Sequence, residues 1–290
     1  MRTVILAAAA LTMWVAPATA QNQGGPVKSQ TISKSATGTI TDEDKAKLEI
    51  LSKEIESDKS NISPYLERAS LLWDAGNRDG ANADLASARM IDAYLADTHA
   101  GTLYYFSREL KSADRFLSAA IDAKPEEIRP RYFRAALSIE QRKFDRALED
   151  LESALKNSSP QSPDSDECAF LRAKVFFELG RFNEAVDSAT DALSRRTAMN
   201  NDDKKLGIPN SYVNPQFYFV RGAANARLKK YDLAIADFDA CESAGGLWPD
   251  LYEQRADCFR ALKETARELA DRMRARELRQ SPKSTPIDAK

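Results

Sequence analysis

Arg221 to Cys241 reads R-G-A-A-N-A-R-L-K-K-Y-D-L-A-I-A-D-F-D-A-C, and most of the remaining chain is a degenerate copy of it. Gly222 carries no side chain to hold a neighbouring helix away. Ala234 does the same on the next segment, with Tyr231 and Phe238 placed around it. The stretch predicts two short helices with a corner at Leu228, Lys229 and Lys230.

Working outward, the position of Gly222 recurs as Ala69, Gly101, Ala135, Ala173, Gly222 and Ala256, with separations of 32, 34, 38, 49 and 34 residues. Arg68, Arg134, Arg172, Arg221 and Arg255 precede five of the six. The second helix keeps the same rhythm through Ala81, Ala113, Ala147, Ala185 and Ala234. Ala88, Ala120, Ala154, Ala192 and Cys241 follow seven residues later, two turns along the same face. Corner residues recur at Gly76 and Gly180, and at Arg108, Arg142 and Lys229.

This pattern resembles the tetratricopeptide repeat family, whose unit is a 34-residue helix-turn-helix. The resemblance covers residues 61–280. It departs from the family in lacking the first-helix Trp, in placing Arg where Leu usually precedes the small residue, and in lacking most closing prolines. It implies an all-α fold: an α-solenoid of about six repeats in a right-handed superhelix, since single helix pairs bury too little apolar surface to stand alone.

The sequence divides around this array. Arg2, the apolar run Val4 to Val15 and Ala18-Thr19-Ala20 predict a signal peptide over 1–20, cleaved near Ala20, and a periplasmic or secreted protein. Residues 21–40 read as a flexible linker, poor in anything to bury. Thr41 followed by Asp42-Glu43-Asp44 predicts the start of an N-terminal capping helix over 41–58. At the other end a solvated capping helix is expected over 264–279, with Leu262, Ala266, Leu269 and Met273 down one side and arginines elsewhere, and 281–290 reads as a disordered tail. The widened 49-residue spacing predicts an inserted surface loop over 195–214, rich in Asn, Asp, Lys, Gly and Pro.

Loss of residues 1–20 leaves 41 basic against 44 acidic residues, which is no signature of nucleic-acid or membrane-surface binding. The single histidine, His99, excludes histidine-rich metal sites, and no Walker loop, dinucleotide fingerprint, Cys-x-x-Cys or His-Glu-x-x-His is present. No cofactor, metal or catalytic residue is expected. Cys241 and Cys258 fall on helices expected to pack together, so a disulfide is open to them; the alternative is a pair of small buried residues.

In the family the first helices line a groove that receives peptides or partner helices. Transferred to this chain, that geometry nominates Trp73, Tyr105 and Phe177 at one recurring position and Tyr132, Phe170 and Phe219 at another, with Lys174 and Arg227 supplying charge and the charged Arg129 and Glu178 nearby. The lysine and asparagine with which one family subgroup grips a terminal carboxylate are here Leu66 and Ser70, so that grip is not expected. The expected function is an exported scaffold or adaptor without enzymatic activity, binding a protein or peptide in a bacterial cell-envelope assembly. The alternatives are a self-associating structural protein forming homo-oligomers, and an enzyme whose site the motifs do not reveal.

Overall fold

A computed structural model of the chain describes residues 40–156, 158–205 and 213–280. The predicted leader, all but the last residue of the linker, and the tail lie outside them. The described residues form thirteen α-helices and no strand. They fall into two compact units.

The first unit holds α1 (Asp42–Ser57), α2 (Ser63–Asp74), α3 (Arg78–Ile91), α4 (Ala93–Phe106) and α5 (Leu110–Ala123). Thr41 caps α1 through its hydroxyl while the Asp44 carboxylate accepts from the Thr41 backbone N–H, so two orphan donors are satisfied together. Leu51 and Ile55 are the buried residues of α1, which packs on α2. Then α2 pairs with α3, and α4 with α5.

The second unit holds α6 (Ile128–Glu140), α7 (Phe144–Lys156), α8 (Ser165–Glu178), α9 (Phe182–Lys205), α10 (Pro215–Arg227), α11 (Tyr231–Ser243), α12 (Pro249–Ala261) and α13 (Thr265–Gln280). Here α6 pairs with α7, α8 with α9, α10 with α11 and α12 with α13. Each second helix also packs on the first helix of the next pair.

Small residues sit where the helices approach. Ala69, Ala135, Ala173 and Ala256 on first helices, and Ala81, Ala113, Ala147, Ala185 and Ala234 on second helices, are fully buried. A Cβ on Gly101 would lie 2.7 Å from Leu117 Cγ, closer than real side chains come. All six corners close alike. Gly76, Arg108, Arg142, Gly180, Lys229 and Lys263 adopt positive φ, and the N–H of the following residue reaches back five residues, as in Asn77 to Leu72 and Lys230 to Asn225. Four corners therefore place a long side chain where glycine is preferred.

The arginine before each small residue has a partner sixteen residues on. Arg68 grips Asp84, Arg134 grips Asp150, Arg221 grips Asp237 and Arg255 grips Asp271, each through Nε and Nη2 at 2.6–3.1 Å. Arg172 meets Ser188 at the same spacing and Asp191 one turn further. In the first three pairs the acid stands three residues after the small residue of the second helix, in the last three residues after Glu268, and in all four the guanidinium bridges the two helices of one repeat. The second repeat replaces the pair with Ala100 and Phe116, Phe116 stacking on Tyr104 at 5.3 Å. Arginine in place of the family's usual leucine is thus half of a salt bridge.

One expectation changes. The predicted loop over 195–214 is helical through residue 205, because nothing between Arg195 and Lys205 breaks the helix and Arg195 bonds to Asp191 one turn earlier. Residues 206–212 of that loop lie outside the described residues, and Asn214 caps α10, whose first residue is Pro215. On α13 the buried residues are Asp271 and Ala275, with Leu278 partly buried, whereas Leu269 and Met273 are 60% and 55% exposed. The 34-residue register explains this: Asp271 and Ala275 occupy the places of Asp237 and Cys241.

Candidate partner-binding wall

The eight nominated residues divide between the units. Trp73 and Tyr105 belong to the first, where α2 and α4 touch. Trp73 is 6% exposed; its Nε1 donates to Ser107 Oγ at 2.8 Å, Tyr104 meets it edge-on at 4.7 Å, and the Arg78 guanidinium covers it at 3.6 Å. Tyr105 is buried against Phe106. Both are packing residues of the first unit.

In the second unit the first helices touch in succession, α6 on α8, α8 on α10 and α10 on α12, and make one wall. The other six nominated residues lie on it. Tyr132 is buried, in edge contact with Phe133. Phe170 is 2% exposed, its ring 4.8 Å from that of Phe217. Phe219, partly buried, lies 5.6 Å from Trp248 and 5.9 Å from Phe238. Phe177 is partly exposed, with Phe182 on one side at 5.5 Å and the Arg227 guanidinium 5.7 Å from its ring. Lys174 lies over Phe170 with Nζ 5.6 Å from the ring centre. Packing therefore consumes Trp73, Tyr105, Tyr132 and Phe170, and leaves Phe177, Phe219, Lys174 and Arg227 with surface to offer.

Sequence reading missed Asp166 and Glu167 on this wall. Glu167 stands two turns before Lys174 on α8, and burial, reinforced by the neighbouring Asp166 carboxylate, pushes it up to about 7 against the opposing pull of Arg196 and Asn214. Asp166 itself is buried and raised by burial, and Arg196 of α9 neutralises it. Arg129 of α6 binds Asp164 at 2.9 Å. Burial lowers Lys174, opposed by Glu167 and Glu178. A recurrence of charge at helical spacing along 167, 174 and 178 was the available signal.

The cysteines do not join this wall. Cys168, Cys241 and Cys258 are buried free thiols. Cys241 and Cys258 share one apolar cluster, where burial pushes them up to about 12 and about 11. His99 in the first unit meets Ser70 Oγ at 2.8 Å through Nε2, and burial lowers it to about 4, so it is neutral near pH 7.

Residues 132–202 and 170–246 match the model of the family described as tetratricopeptide repeat. Over those residues the repeats are similar to the tetratricopeptide type. Solved structures share the fold: the pilF protein of Pseudomonas aeruginosa superposes with a TM-score of 0.61 at 15% identity, over 77% of this chain and 94% of that one. A MamA structure superposes at 0.53 with 14% identity, over 64% and 91% respectively. A MamA RS-1 mutant does so at 0.55 with 12% identity, over 67% and 98%. At these identities the likeness is one of fold. No curated protein sequence matches the chain.

Proposed function

We propose that the wall formed by α6, α8, α10 and α12 receives an extended segment of a partner protein, and that the chain acts as a non-catalytic scaffold. One observation carries this reading. Nearly every aromatic and arginine on the first helices is committed to packing or to an ion pair, yet Phe177, Phe219, Lys174 and Arg227 retain surface on one wall. Aromatic rings beside cations supply contact area at little entropic cost. A photo-crosslinking residue at Phe177 should capture the partner. The same residue at the exposed Asp187 of α9 should not, and equal capture from both would end the proposal.

The N-terminal pattern, with a positive charge, about a dozen apolar residues and Ala18-Thr19-Ala20, supports action outside the cytoplasm, in an envelope assembly. No helix among the described residues is long and apolar enough to cross a membrane. A protein recovered from the envelope fraction should begin at Gln21; recovery only with Met1 intact would contradict export.

A further inference from the structure

Lys174 is the one lysine among the described residues that burial drives toward the neutral form. Taking an ammonium out of water is costly unless an anion faces it. Yet Lys174 makes no ion pair among the described residues, and its ammonium lies over the Phe170 ring. The acids nearest along α8, Glu167 and Glu178, bear on it through space, but neither pairs with it. Glu178 faces Arg142 at 3.9 Å, and Glu167 sits with Asp166, Arg196 and Asn214. Helix α10, packed against α8, contains no acidic residue, and contributes Arg227. Arg227 is exposed, lies over Phe177 and likewise makes no ion pair among the described residues, in contrast to the five repeat arginines. On α6, Arg129 is committed to Asp164.

We propose that Lys174 and Arg227 together receive an acidic side chain of an extended partner segment, while an adjoining apolar side chain of that segment rests on Phe177. This deepens, and rests on, the reading of the wall as a partner-binding surface. An ammonium and a guanidinium fork are the donors that suit a carboxylate, and charge-assisted hydrogen bonds are the stronger kind. The acid is a side chain and not a chain terminus because Lys174 lies mid-wall, with α6 on one side and α10 and α12 on the other, so a segment crossing the wall passes it between its ends.

The test uses the chain with a set of fluorescent ten-residue peptides, acetylated and amidated, carrying a central Leu-Glu or Phe-Glu in Ser/Ala flanks. Each has a Gln twin and a Gln twin with a free carboxyl terminus. The Glu peptides should bind about tenfold tighter than the amidated Gln twins, and Lys174→Met or Arg227→Ala should each erase most of that preference without moving the melting temperature. If the Gln twins bind equally well and Phe177→Ala weakens both, the carboxylate proposal fails and the wall stands. If the free-terminus twin matches the Glu peptide, the acid is a terminus and the proposal fails in that respect. Absence of binding by every peptide overturns the proposal, and the Phe177 photo-crosslink then decides whether the wall itself survives.

Discussion

Replacing Asp150 by alanine should destabilise the second unit more than any exposed acid there. The Asp150 side chain is 1% exposed and that of Arg134 17%, with contacts of 2.8 and 2.6 Å between them and Arg131 at 3.5 Å. Removing the acid strands a guanidinium in a largely dry place, and breaking a buried pair from one side costs about 3–5 kcal/mol. Because Arg134 keeps some contact with water, the lower end applies, about 3 kcal/mol. Arg134→Ala should cost a similar amount by stranding the carboxylate. The double variant Arg134→Ala, Asp150→Phe reproduces the Ala100 and Phe116 of the second repeat, and should return to within about 1 kcal/mol of the parent, since buried pairs exchange well for apolar groups of similar volume. Urea unfolding of the four proteins, with amide exchange on α6 and α7, measures this cycle. A loss under 1 kcal/mol for Asp150→Ala, or a double variant as weak as the summed singles, would refute the reasoning.

Three further outcomes are expected. His99 is lowered to about 4 and Glu167 raised to about 7, so they act oppositely: as pH falls from 6.5 to 4 the unfolded chain takes up the His99 proton first and the first unit weakens, whereas as pH rises from 4.5 to 7 the unfolded chain loses the Glu167 proton first and the second unit weakens. Amide exchange across pH 4–7.5 should show these opposed trends, and His99→Asn and Glu167→Gln should flatten their own. Lys229→Gly should stabilise the fold by about 1 kcal/mol by relieving a left-handed backbone, measured as a shift in the urea midpoint; destabilisation would show that the corner is not strained. All three thiols should resist a thiol reagent in the folded protein and all should react in denaturant without reductant; fewer than three would reveal a bridge.

Much of the architecture was legible because close helix contacts demand small residues, and small residues at a fixed interval are visible in a linear string. The corners were legible at Gly76 and Gly180 for a similar reason, less so where Arg108, Arg142 or Lys229 accept the same backbone shape, and Lys263 was overlooked. The arginine column was visible, but its acids were not sought, since the pairing runs sixteen residues across a corner. The candidate wall was harder. Trp73, Tyr105, Tyr132 and Phe170 share the residue types of a binding surface and of a repeat core, and only burial separates the two uses. Likewise Leu269 and Met273 look like an apolar stripe until the 34-residue register assigns the inward face to Asp271 and Ala275.

Four of the guanidinium clasps tie the two helices of one repeat by a strong polar contact, while neighbouring repeats meet mostly through apolar surface. Under a pulling force on the second unit, such a construction favours separation at the boundaries between repeats, with each clasped hairpin leaving as a block. Arg255 goes furthest, since it also ion-pairs with Asp239 and Glu242 of the preceding repeat, where Arg221 reaches back only to the Thr190 hydroxyl at 3.4 Å. The last two hairpins should therefore come away together, as a single mechanical step of double length.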